Sequence, residues 1–337
     1  MTQKIICIRK GDDMHCHLRR GEILGKVVGF TRDCFSRAVI MPNTNPPILT
    51  ANDVRQYRNE IKMYCNSLFE PLMTIQLTEA TTPAMIAEAK EAGAVAAKLY
   101  PRGVTTNSES GVSDFKKIHP ALAEMQRLNM LLLVHGESPD PEIFCLDREA
   151  TFLHTLSDIV GGFPKLKIVL EHITTEKAFV WILSMPRHVA ATITVHHLLL
   201  TLDDVVGGFI SPHNFCKPIA KRPEDRRALL EAATSGSTKF FYGGDSAPHL
   251  KEKKECSHGC AGVFKAPVAL CLLAQIFETN LALHKLEDFV ATFGAEFYGL
   301  PYNTETIALQ RKKWVVPDEY EGIVPFMAGE ELRWQVV

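Results

Sequence analysis

The sequence predicts an α/β protein: a single (β/α)8 barrel of the TIM type over residues 1–337, with a C-terminal tail packed on the outside. Three observations predict it. Short apolar segments, eight in number, alternate with amphipathic ones over roughly 250 residues, the length such a barrel needs. Several of the apolar segments run without polar interruption, as strands covered on both faces do. The unusual polar residues fall at the C-terminal ends of these segments, the rim where barrel active sites form. A doubly wound open sheet would show the same alternation, so the alternation leaves that topology open.

In order, strands are expected at "DMHCHLR" (13–19), "RAVIMPN" (37–43), "PLMTIQL" (71–77) and "AVAAKLYP" (94–101). They continue with "MLLLVHGE" (130–137), "LKIVLEHI" (166–173), "VAATITVHH" (189–197) and "KFFYGGDSA" (239–247). A helix is expected over 52–65 with Asn52 as its cap, and another over 82–93, with Thr82 and Pro83 at its start and Gly93 at its end. Two more are expected over 113–129, where Pro120 starts or kinks the helix, and over 222–236. The chain beyond residue 300 reads as the outer tail, and no low-complexity linker divides the sequence.

Composition narrows the function. The chain is 46% hydrophobic with a formal charge of -2, which offers nothing to draw nucleic acid or an anionic membrane. Apolar runs such as "MLLLV" and "HLLLTL" are far too short to cross a bilayer. The opening residues resemble neither a secretory signal nor a transit peptide, so a cytoplasmic protein is expected. Nine cysteines cannot all pair within one chain, and reduced thiols are expected.

The chemistry starts with His15 and His17. Residues two apart on an extended strand face the same side, so both can point into the barrel mouth with Cys16 turned away. For the pair alone, two partly buried histidines bonded to backbone would serve as an explanation equally well. The other strands add to it: Lys98 ends "AVAAK", His135 ends "LLLVH", His172 follows "IVLE" and Asp245 follows "FFYGG". Four histidines, one aspartate and one lysine on five strand ends of one rim are hard to explain as separate structural residues. Neutral imidazole with carboxylate suits a divalent metal such as zinc. Two ions need a bridge, and this set lacks a second carboxylate. An ammonium would be repelled by a dication, whereas a lysine amine that has reacted with carbon dioxide becomes a carbamate, an anion with two oxygens. Chemistry thus suggests a carboxylated Lys98.

Together with "MPNTNPP", "AAKLYPRGVTTNS", "LEHITT", "AATITVHHL", "DSAPH" and "GCAGVFKAP", these segments resemble the metal-dependent amidohydrolase superfamily. Within it they resemble dihydroorotases of the shorter, stand-alone type, in order over nearly the whole chain to "IVPFMAGEELRW". The resemblance implies a zinc enzyme of pyrimidine biosynthesis that reversibly cyclises N-carbamoyl-L-aspartate to L-dihydroorotate and water. It implies one zinc on His15, His17 and Asp245 and a second on His135 and His172, bridged by carboxylated Lys98 and a hydroxide. It places the substrate carboxylate on Arg19, Asn43 and His249, helped by backbone near Ala261, and puts Thr105 and Thr106 on a mobile loop that closes over substrate. The bridging hydroxide would attack the ring carbonyl in the hydrolytic direction, with Asp245 as ligand, general base and general acid. It also implies a homodimer.

Arg19, two residues past His17, would continue the same strand face and offer a planar fork to a carboxylate. Ordinary alternatives are a salt bridge from Arg19 to Asp12 or Asp13, a turn cap for Asn43 and a surface loop for His249. Lys217 departs from the family, whose bacterial members commonly carry an apolar residue there. "CSHGC" (256–260) supplies too few ligands for a structural zinc and reads as loop thiols, and one of His196 and His197 is expected to face the barrel. Two rival functions share these features. A hydantoinase or dihydropyrimidinase would use the same metals but has no need of the Arg19, Asn43 and His249 cluster. A non-catalytic scaffold barrel would have lost its ligands.

Overall fold

The computed structural model describes residues 4–65 and 68–337. After a leading strand, β1 (Ile5–Arg9), come eight strands: β2 (Asp12–Cys16), β3 (Arg37–Ile40), β4 (Glu70–Gln76), β5 (Ala94–Leu99), β6 (Leu131–His135), β7 (Ile168–Glu171), β8 (Val189–Ile193) and β9 (Phe240–Tyr242). They lie in sequential order and pair in parallel from β2 to β9. The two ends of that order meet: Asp245 N donates to His15 O at 2.6 Å, and His17 N to Ser246 O at 3.1 Å. A doubly wound sheet reverses its order at a switch point and leaves two edges, so this closure decides for the barrel.

The uninterrupted apolar runs become intelligible along β6. Leu131 and Leu133 pack inside the barrel with Met14, Val39, Leu72, Ala96, Val169, Ala190 and Phe241. Leu132 and Val134 face outward into the larger core beneath the helices. Both faces of the strand are buried, and each leucine so covered contributes about 1.5–3 kcal/mol. Two residues further along the same inner face, the apolar layer gives way to Lys98 after Ala96, His135 after Leu133, Glu171 after Val169 and Thr192 after Ala190, all buried. The site is thus the next layer of the barrel interior.

The wall helices begin with α1 (Glu22–Cys34), α2 (Ala51–Lys62), α3 (Pro83–Glu91) and α4 (His119–Arg127). They go on with α5 (Arg148–Gly162), α6 (Glu176–Ser184), the short α7 (Asp203–Val206) and α8 (Pro223–Thr234). Thr82 caps α3 by accepting from Met85 N, as expected. The cap of α2 is Thr50 and not Asn52, because Asp53 lies three residues after Thr50 and completes a reciprocal capping box. The segment expected as one helix over 113–129 divides into a 3-10 turn, Phe115–Ile118, and α4, with Pro120 in the first turn of α4, where a missing N–H costs nothing.

Beyond residue 300 the tail builds its own antiparallel sheet outside the barrel. β10 (Thr306–Gln310) pairs with β1, and β11 (Trp314–Val315) pairs with β12 (Glu331–Leu332). β13 (Gln335–Val336) adds to β10. Trp334 anchors the tail, fully buried, with its Nε1 donating to Glu278 at 3.0 Å. Among the described residues no helix is long and apolar enough to cross a membrane.

Candidate active site

A cleft of about 370 Å³ opens at the C-terminal rim of the barrel. His15, His17, Arg19, Asn43, Thr105, Thr106, His135, His172, Asp245 and Ala261 all line it. The two remaining expected residues sit just behind: Lys98 is fully buried under the floor, and His249 backs Arg19.

The floor is a ring of donors. His15 Nε2 and His17 Nε2 are 3.2 Å apart, and Asp245 Oδ1 lies 3.4 Å from the first and 3.2 Å from the second. The His172 ring centroid stands 5.1 Å from that of His15 and 4.8 Å from that of His135. Burial drives all four imidazoles below their usual basicity, His17 to about 4. The four rings are therefore neutral, each with one N–H and one lone pair, and no imidazolium charge keeps them apart. Burial opposes ionisation of Asp245, but the nearby Lys265 ammonium and a hydrogen bond from His17 hold its carboxyl well below the ordinary range. Cys16 turns outward as expected, its Sγ 3.6 Å from Thr31 on α1.

The rim is built by turns. Arg19, His172 and Asp245 have φ of 61°, 45° and 47°. That left-handed region costs a side-chain-bearing residue roughly 1–3 kcal/mol and concentrates at functional sites. Arg19 thus reaches the cleft from a turn beyond β2 and not as the next residue of an extended face. Its Nε donates to Pro248 O at 3.1 Å and its Nη2 lies 2.8 Å from His249 Nε2, while the buried Asp12 is taken by Arg37 at 2.7 Å. The glycine pair before Asp245 permits the seam to close: a Cβ on Gly244 would meet Asp13 Oδ2 at 2.5 Å. On the other side, Asn43 Nδ2 donates to Thr106 O at 3.0 Å, tying the Thr105–Thr106 loop over the cleft.

Comparison with known proteins follows this geometry. The amidohydrolase family profile matches residues 7–319. A dihydroorotase of Teredinibacter turnerae is 50% identical over 100% of this chain and 99% of its own length. The structure of dihydroorotase from Saccharomyces cerevisiae in complex with 5-fluoroorotic acid superposes with a TM-score of 0.93 at 39% identity, covering 99% of this chain and 98% of that one. Dihydroorotase from Campylobacter jejuni gives 0.92 at 41% identity, covering 100% and 98%.

The chain belongs to the amidohydrolase family, in its dihydroorotase branch.

Members of this branch are metal-dependent cyclic amide hydrolases, and the donor ring fits such ions. Tetrahedral bonds of about 2.0–2.1 Å place neighbouring ligand atoms about 3.3 Å apart. The His15, His17 and Asp245 atoms show 3.2–3.4 Å. Buried Nδ1 of His172 has no hydrogen-bond partner among the described residues, as a nitrogen kept for a metal would require.

Several neighbours of the ring carry no signal in strand-end patterns. Glu171, paired in register with His135, lies against Lys98, accepting from its Nζ, and its Oε1 is 3.1 Å from His15 Nδ1. Glu137 occupies His135 Nε2 at 2.8 Å, leaving Nδ1 as the free nitrogen of that ring. Thr192 Oγ1 accepts from His172 N at 2.7 Å, and Lys265, fully buried, donates to the carbonyl of Asp245. The preceding-residue relation of Glu171 to His172 was the one available hint.

The remaining motifs separate. Lys217 lines the cleft. Cys256 is exposed and Cys260 half-buried, both free thiols, and "CSHGC" forms no ligand cluster among the described residues. Neither His196 nor His197 lines the cleft; both pack instead beside Cys216.

Proposed function

We propose that this chain is a zinc-dependent dihydroorotase, interconverting N-carbamoyl-L-aspartate with L-dihydroorotate and water. The observation that carries the reading is the receptor at the rim. One neutral Nε2 of His249 faces both Arg19 Nη2, at 2.8 Å, and Ala261 O, at 3.1 Å. A single nitrogen cannot accept from the first while donating to the second, so the trio is under-satisfied. A carboxylate accepting from Arg19 and from the His249 N–H relieves it, and Asn43 stands across the same cleft. The yeast relative, solved with 5-fluoroorotic acid, offers a ring carboxylic acid of the same class. Hydantoins and dihydrouracil lack that group and would leave the receptor unpaired. A scaffold barrel is disfavoured because all six ring residues stand together.

His15, His17 and Asp245 would hold one ion, and His135 and His172 the other, with carboxylated Lys98 between them. Bound there, zinc would supply Lewis acidity toward an amide carbonyl and lower the pKa of water. Burial holds the Lys98 amine well below its usual range, which supplies the neutral nucleophile that carbon dioxide needs. The carbamate nitrogen keeps one N–H, and Glu171 is placed to accept it. Asp245, held ionised, takes the proton of the ureido nitrogen during cyclisation and returns it to the leaving nitrogen during hydrolysis. The Thr105–Thr106 loop, tied to Asn43, excludes water from the closed cleft.

The test is turnover of L-dihydroorotate against dihydrouracil by the zinc-loaded protein. Dihydroorotate is expected to win by orders of magnitude; preference for dihydrouracil overturns the substrate assignment.

A further inference from the structure

The catalytic ring leaves one buried cluster unused. His196, His197 and Cys216 are 0%, 2% and 1% exposed, and their ligand atoms all lie within 4.8 Å of one another. Cys216 Sγ is 3.5 Å from His197 Nε2, and the Pro218 carbonyl oxygen lies 3.1 Å from the sulfur and 3.0 Å from that nitrogen. Both ring nitrogens of His196 are buried without a hydrogen-bond partner among the described residues. A neutral imidazole carries one N–H and one lone pair, and a dry interior leaves neither idle without cost. We propose that His196, His197 and Cys216 form a third metal site, selective for a soft divalent ion such as zinc, with the Pro218 carbonyl as an available fourth donor.

The His197–Cys216 separation suits that ion. Bonds of about 2.0–2.1 Å to nitrogen and about 2.3 Å to sulfur put the two donors about 3.5 Å apart at a tetrahedral angle. The His197–Cys216 separation is 3.5 Å. His197 is already oriented by Thr194, whose Oγ1 is 2.9 Å from Nδ1. Without an ion Nε2–H donates to Pro218 O and Nδ1 accepts from the Thr194 hydroxyl; on binding, the ring proton moves to Nδ1, which donates to that hydroxyl, and Nε2 presents its lone pair.

Charge selects the class of ion. Burial dominates the Cys216 thiol and raises it, as Asp245 does, while the nearby Lys265, Lys221 and Lys254 ammoniums oppose that rise. They repel a hard cation held by charge alone, but they favour the thiolate that a sulfur-bonding metal needs. Loading is balanced: the thiol loses one proton to solvent as the sulfur–metal bond forms, with no change of oxidation state. Burial pushes the Cys216 thiol up to about 12, so that proton is present until the ion arrives.

The placement gives the ion a task. His196 and His197 lie just past β8, whereas Cys216 and Lys217 sit on the loop that forms one wall of the substrate cleft. An ion bound here tethers that wall to the barrel. The site stands independently of the catalytic assignment, since no ring residue belongs to it.

Cobalt titration of the chelator-stripped protein tests this, in a Cys256→Ala/Cys260→Ala background that removes the nearby loop thiols. The catalytic ring has no sulfur donor, so sulfur-to-cobalt charge-transfer absorption in the near ultraviolet reports this site alone. The band should saturate by three equivalents per chain, two of them taken by the ring without sulfur absorption, and Cys216→Ser should abolish it. Should Cys216→Ser fail to fold by circular dichroism, His197→Gln keeps the thiol and should weaken binding at least about tenfold. Absence of a thiolate band at excess cobalt overturns the proposal. So does a band unchanged in Cys216→Ser or His197→Gln.

Discussion

Replacing Arg19 by methionine separates recognition of the substrate carboxylate from the chemistry of the ring. Methionine keeps the unbranched apolar stem, and the backbone anchor survives, because Tyr57 Oη donates to the carbonyl of Arg19 at 2.5 Å. What disappears is the guanidinium that lies 2.8 Å from His249 Nε2 at the cleft wall. Two charge-assisted hydrogen bonds to a carboxylate, at about 1.5–3 kcal/mol each, amount to about 3–6 kcal/mol. The guanidinium also gives up its bond to Pro248 O, which offsets part of that sum. At about 1.4 kcal/mol per decade, the lower half of the range predicts a fall in kcat/KM of about 10²–10³ for L-dihydroorotate. Most of it should appear in KM, because the carboxylate is held alike in ground and transition states. Initial rates with dihydrouracil, which has no carboxylate, should change by less than about threefold. An equal loss for both substrates refutes the reasoning and makes Arg19 a support for site geometry.

Four more perturbations address the remaining groups. Asp245→Ala should keep the fold yet lose several orders of magnitude in turnover; retention of more than about a tenth of the wild-type rate removes it as base. Glu171→Gln should weaken zinc binding about 10–100-fold by freeing His15 and Lys98, read by competition with a chelator, and an unchanged affinity contradicts its orienting role. Lys98→Ala should lose metal and activity, with partial return on adding short carboxylic acids that replace the carbamate; full activity without them contradicts a bridging lysine. Burial and the Arg19 guanidinium depress His249 to about 3, so it is protonated only in strong acid and stays neutral as pH rises from there. The kcat/KM profile, which reports the free enzyme, should therefore show no inflection near about 6.5 that disappears in His249→Asn.

Much of this was legible because the barrel repeats one simple pattern. Apolar runs such as "LLLVH" mark strands buried on both faces, and the polar residue that ends each run enters the inner layer above Leu133 or Ala96. The strand-end positions of His15, His17, Lys98, His135, His172 and Asp245 thus point to one rim from the sequence alone. The expected strands ran too long at their C-terminal ends, since ladder pairing stops at Cys16, Glu171 and Tyr242 while the apolar and histidine pattern continues. Those extra residues are the turns that carry Arg19, His172 and Asp245. Helix α1 escaped notice because it opens on Gly21 without a side-chain cap. Glu171 and Lys265 escaped because a charge inside an apolar run reveals nothing of its partner, which comes from a strand or loop distant in sequence. Strand closure itself depends on bonds between residues 15–17 and 245–246, which alternation alone could not distinguish from an open sheet.

Anomalous X-ray scattering at the zinc edge, from crystals of the zinc-loaded protein grown with substrate, tests the central claim most directly. The account predicts two strong peaks in the ring, one among His15, His17 and Asp245 and one beside His135 and His172, with carbamate density extending from Lys98 toward both. A ring with no peak, or a bare Lys98 amine beside a single ion, would contradict it.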